Sequence, residues 1–208
     1  VSSKKRNFLF SDIFKVQDEL SNELLKEMSL DVVVGRGQGE NWVSQFKSAQ
    51  DYTLFLNFRE EWRKETEESH NKSALILEKL KKRNPDMNMS NAYAWQIFQK
   101  ILLGLSTDKE KDLEKLRFYV ENNLLAPSKS DGYAAKALIG LYFLELGCVE
   151  AEKNIDISLE YSSTVDTLTI AGAVYSICGN LEKAIKSTYS ALRHVPNDTG
   201  WFITRNLS

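Results

Sequence analysis

The sequence predicts an all-α chain, a right-handed stack of antiparallel helical hairpins. Three observations carry this. Helix breakers are scarce, with three prolines and ten glycines in 208 residues, which favours long helices over a turn-rich β protein. Apolar residues recur at three- and four-residue spacing through most of the chain, the period of one helix face. Two stretches also repeat. Gly140 and Gly147 are followed 32 positions later by Gly172 and Gly179, a period in the range of stacked supersecondary units.

Residues 1–50 read as an N-terminal helix and linker, the tail of an upstream domain. Ser11 or Asp12 caps a helix carrying Ile13, Val16, Leu20, Leu24 and Met28 on one face. A short β-branched run to Val34 then gives way to Gly35, Gly37 and Gly39, an irregular linker. Residues 51–208 read as the helical repeat domain. Tyr52, Phe55, Phe58 and Trp62 share one face of its first helix. A second helix runs from about Asn71 to Arg83 with Ala74, Leu77 and Leu80 inward. It stops at Asn84-Pro85, because the residue before proline is pushed out of helical geometry.

Ser90 is read as the cap of a third helix with Ala94, Phe98, Ile101 and Leu105 inward, and Asp108 as the cap of a fourth with Leu113, Leu116 and Val120. That helix ends before Pro127. Ser130 or Asp131 caps a fifth, which Gly147 ends. Asp166 or Thr167 caps the first helix of the last hairpin, Gly179-Asn180 makes its turn, and Pro196 ends its second helix.

In this last hairpin Leu168, Gly172, Tyr175, Gly179, Ala184, Ala191 and Pro196 fall where the 34-residue tetratricopeptide repeat places its large, small, aromatic, turn and closing residues. The hairpin resembles that family. Small residues are needed where two helices approach to about 8–10 Å, and Gly172 with Ala184 would supply them. The hairpin around Gly140 is a fair copy; those at 51–85 and 91–126 keep little beyond helix lengths and closing prolines.

A second resemblance runs through the chain in order. Ser11-Asp12-Ile13-Phe14 through Leu20, Asp51-Tyr52-Thr53-Leu54-Phe55-Leu56 with Arg59, Leu77 through Asp86, and Thr199-Gly200-Trp201-Phe202 are similar to segments of bacterial class III adenylate/guanylate cyclases that carry C-terminal repeats. Related segments occur in some bacterial transcription regulators. The resemblance implies a repeat region without its catalytic domain, a non-catalytic docking module of a cyclase-like signalling protein. The alternatives are the repeat region of a transcription regulator and an all-α enzyme. Nothing of the cyclase active site is present, so no metal or nucleotide residue carries over.

Composition narrows the function classes. A net charge of −2 supplies no field for nucleic acid or an anionic membrane. No apolar run is long enough to span a bilayer, so no direct membrane contact is expected. Cys148 and Cys178 read as free, buried thiols of a reducing compartment, which makes the expected location cytoplasmic.

Candidate chemistry is thin. Gly35-Arg36-Gly37-Gln38-Gly39 lacks the spacing of a dinucleotide loop and the Lys-Ser/Thr of a phosphate loop. His70 and His194 have no ligand-spaced neighbours. The Glu60–Glu68 run beside Arg59, Arg63 and Lys64 reads as a solvated helix face. No catalytic, cofactor or metal residue is nominated.

The concave face of the stack is the candidate partner surface. Repeat position places Leu141, Leu144, Glu145, Thr169, Ala173 and Ser176 there, with Trp201 marking a further exposed surface. A groove for peptide carboxylates would show Lys, Arg and Asn at those places. These residues are mostly apolar or small, which suits a helix of a protein partner, a neighbouring domain or a second copy of the chain.

Overall fold

The computed structural model describes Phe46, residues 48–126 and residues 128–194. Residues 1–45 of the N-terminal helix and linker expected at 1–50, together with Pro127, Pro196 and Trp201, lie outside these residues. The described chain forms eight α-helices and no strand: α1 Ala49–Arg63, α2 Glu67–Arg83, α3 Ser90–Leu102, α4 Lys109–Asn123, α5 Lys129–Phe143, α6 Cys148–Tyr161, α7 Val165–Ile177 and α8 Leu181–His194.

Local chemistry sets the helix ends. Ser48 accepts from the Asp51 backbone N–H, Thr66 from Ser69, Asp108 from Lys111 and Thr164 from Thr167, each satisfying a first-turn donor that the helix leaves open. Three expected caps move. Ser90 is the first residue of α3 and Met89 the cap. Ser128, not Ser130 or Asp131, precedes α5. Thr164, not Asp166 or Thr167, caps α7. Ser130 is instead spent inside the molecule, its hydroxyl donating to the carbonyls of Ser158 and Ser162.

Consecutive helices pair as hairpins: α1 with α2, α3 with α4, α5 with α6, and α7 with α8. The pairs are antiparallel. Arg83 at the end of α2 binds Asp51 at the start of α1, and Lys100 near the end of α3 reaches Asp112 near the start of α4 at 2.7 Å. Neighbouring hairpins join in two ways. Each second helix meets the next first helix, and α3, α5 and α7 lie side by side.

Four apolar clusters divide the core, the smallest of them Leu168 of α7 with Ala191 of α8. Phe58, Leu77, Leu80, Met87 and Met89 fill the first hairpin and its exit, with Tyr52, Phe55 and Trp62 against them. Ala94, Phe98, Leu116, Val120, Ala135 and Ile139 join α3, α4 and α5. Ala134, Ala137, Leu138, Ala151, Ile155, Ala171, Val174, Tyr175 and Ala184 join α5 through α8.

The repeat register differs from the one the glycines suggest. Gly147 is the N-cap of α6 at φ −72°, whereas Gly179 turns the chain at φ 80°. The two are not equivalent. First helices end at Phe143 and Ile177, 34 positions apart, and second helices start at Cys148 and Leu181, 33 apart. Ala134, Ala137, Leu138 and Leu141 thus hold the places of Leu168, Ala171, Gly172 and Tyr175. Gly140 is small for another reason: a Cβ there would stand 2.7 Å from Leu146 Cδ2.

Candidate functional site

The residues expected on the concave face divide. Glu145 and Ser176 are exposed. Leu141 and Leu144 are partly buried against the clusters of α5. Thr169 and Ala173 are buried, which corrects the expectation that α7 shows them to solvent. The cause is in the helix itself. After Asp166, α7 carries no charged residue, and a helix apolar all round is an enclosed one. It is packed by α5, α6 and α8, while Arg59 and Arg63 of α1 reach over to Asp166, Arg63 at 3.7 Å. The face read as an open groove is therefore partly closed at α7.

The expectation of free thiols is also overturned. Cys148 and Cys178 form a disulfide with Cα atoms 5.4 Å apart. The bond joins the start of α6 to the end of α7, across the boundary between the third and fourth hairpins. Cys148 is exposed and Cys178 partly so. Thirty positions separate them in sequence, and the fold brings both to one edge.

The remaining ionisable groups are structural in arrangement. His70 is buried, its ring within hydrogen-bond distance of Gln99 Oε1 at 3.2 Å and Gln96 Nε2 at 3.2 Å. Gln99 also donates to the Trp62 carbonyl at 2.6 Å, and Trp62 Nε1 to the Trp95 carbonyl at 3.2 Å. This buried network ties the first hairpin to the second. The Tyr175 hydroxyl donates to Asp156, which Lys183 also binds at 3.1 Å; burial, then the Asp156 carboxylate, pushes the Tyr175 phenol well above its ordinary range. Glu68 pairs with Lys72 on a solvated face, whereas Glu61, which pairs with Lys64, is only 21% exposed. Among the described residues, no group of three or more His, Cys, Asp or Glu is placed to hold a metal ion, and no helix is long and apolar enough to cross a membrane.

A concavity that the sequence did not reveal lies between the first and second hairpins. A cleft of about 340 Å³ opens between α2, the α2–α3 connection, α3 and α4. Met87 and Met89 form part of its lining and are themselves buried. Tyr93 and Tyr119 stack on its wall with centroids 5.0 Å apart and planes at 17°. Phe118 stands edge-on to Tyr119 and is 61% exposed. At the rim, the Tyr93 hydroxyl donates to Glu78 at 3.2 Å; burial and then the Glu78 charge raise its pKa far above that of a free tyrosine. Lys81 also lines the cleft and donates to the carbonyls of Pro85 at 2.8 Å and Met87 at 3.0 Å. The lining mixes aromatic, thioether and amide groups with the Glu78 carboxylate, the Lys81 ammonium and the Ser90 hydroxyl. Chemically it is a seat for an apolar side chain edged by polar groups.

Compared with protein-family models, curated proteins and solved structures, the chain has no significant match in any of the three.

Proposed function

We propose that the chain is an interaction scaffold: a stack of tetratricopeptide-like hairpins that docks a protein partner, a second subunit or a neighbouring domain of a cyclase-like signalling protein. The hairpin pairing, the side-by-side α3, α5 and α7, and the 34-residue spacing of first-helix ends support the repeat reading. The observation that carries docking is the cleft, where Phe118 stands in solvent beside the stacked Tyr93 and Tyr119. Buried methionines beside exposed Phe118 and the partly buried Tyr93 and Tyr119 make an adaptable surface that receives a helix or an extended segment. The partner inserts an apolar side chain between Phe118 and Met87.

The compartment is read anew. The cytoplasmic expectation rested on two free thiols. A disulfide between Cys148 and Cys178 favours an oxidising compartment instead, since cytosolic thiol pools keep such pairs reduced.

The test places a photoreactive p-benzoylphenylalanine at Phe118 in the full chain, expressed in its own cells, with the same group at exposed Val149 as control. A discrete partner adduct from position 118, absent from 149 and lost in Tyr119→Ala, supports docking at the cleft. No adduct at 118, or identical adducts from both positions, would discard it.

A further inference from the structure

The last described helix carries a face that its predecessor uses. Second helices repeat at 33 positions, and their burial matches: Ala151 with Ala184, Ile155 with Thr188 and Ser158 with Ala191 are all buried. In α6, the positions beside this buried stripe hold the next hairpin. Cys148 bonds Cys178, Glu152 accepts from Asn180 at 3.2 Å, and Asp156 binds Tyr175 and Lys183. Their counterparts in α8 are Leu181, Ile185 and Tyr189. These three are 63%, 52% and 54% exposed. The receiving face of α6 is polar and occupied; that of α8 is apolar and uncovered by the described residues.

The sequence supplies an occupant. Leu168 of α7 packs with Leu159 of α6 and Ala191 of α8. The counterpart of Leu159 is Leu192, and 33 and 34 positions after Leu168 come Trp201 and Phe202. Residues 199–207 also hold Ile203 and Leu207, with Arg205 their single charge. Apolar area left in water on one element and apolar side chains a few residues downstream are a matched pair. We propose that residues 199–207 of this same chain seat on α8, covering Leu181, Ile185 and Tyr189 as the fourth hairpin covers α6. This closes the α8 end of the stack and leaves partners to engage the cleft.

The inference stands apart from the docking role, because it is read at position 185 and docking at 118; either can fail alone. Purified full chain carrying Ile185→p-benzoylphenylalanine is irradiated and digested with trypsin. Ile185 is half-exposed, so the change leaves the helix intact, checked by an unchanged circular dichroism spectrum. The expected product is an adduct within one chain to the tryptic peptide 194–205, its yield falling in a Trp201→Ala background. An adduct joining two chains, an adduct to any other peptide, or none overturns the proposal, the first of these assigning the face to a second copy.

Discussion

Arg59 of α1 forms an ion pair with Asp166 of α7, 107 positions away in sequence. Three hairpin boundaries lie between them. The pair brings side chains of the first and fourth hairpins together beside α7, the helix on which Thr169 and Ala173 are buried. Both partners are more than a third exposed to water, so the pair contributes about 0.5 kcal/mol. Asp166→Asn is expected to lower unfolding free energy by that amount in dilute buffer and by nothing measurable at about 1 M salt, where screening acts within ~3 Å. Urea titrations at the two salt levels check it; an equal loss at both would mean that Asp166 acts otherwise.

Acid stability should depend on Asp112. Burial disfavours its charged form, but hydrogen bonds from Lys100 and Ser106 and the Lys100 charge outweigh it and hold the carboxyl below its ordinary range. A carboxyl whose pKa is lowered by folding contributes stability above its unfolded value, near 3.9, and loses it as pH falls through the folded one. Asp51, set between Arg83 and Ser48, shifts in the same direction, again against burial. Unfolding free energy is thus expected to fall below about pH 4. The slope of that fall should be shallower in Asp112→Asn, as measured by denaturant titrations from pH 6 to pH 2.5.

Removing the bond between Cys148 and Cys178 should cost about 2–4 kcal/mol, for the chain it closes is 30 residues long. Cys148→Ser with Cys178→Ser, compared with wild type with and without a reducing agent, separates this loss from side effects of substitution. The reduced wild type and the double variant should unfold at the same denaturant concentration.

Two glycines offer a contrast. Gly140→Ala drives a Cβ to within 2.7 Å of Leu146 and is expected to cost about 1–3 kcal/mol as overpacking. Gly147→Ala meets nothing within 4 Å at an extended backbone, and its effect should be the smaller one of placing a poor N-cap residue, about 0.5–1 kcal/mol. Thermal melts of the two variants decide the point. Had the two glycine pairs been equivalent, as their common spacing of 32 suggests, the costs would mirror those at Gly172 and Gly179.

Much of the helical outline was legible because it is written locally. The Tyr52–Phe55–Phe58–Trp62 face lies against the first cluster, and Leu77, Leu80, Phe98, Leu116 and Val120 are buried as their spacing demands. Caps were missed by one to three residues, since Ser128, Ser130 and Asp131 are all eligible and only packing assigns Ser130 to the carbonyls of Ser158 and Ser162. The repeat register slipped for a related reason. Gly140 and Gly172 look alike, yet one makes room for Leu146 and the other takes the place of Leu138. The cleft was invisible because Glu78, Met87, Tyr93 and Phe118 come from four separate segments, and no periodicity within one helix announces a surface shared among them. The disulfide was hidden in the same way, by a meeting of two turns that each look ordinary alone.

That bond links neighbouring repeats and not the two legs of one hairpin. A protease that cuts the exposed connection at Ser163 between α6 and α7 leaves two polypeptides that still migrate as one species until a thiol is added. A nicked molecule therefore stays whole where its third and fourth repeats meet.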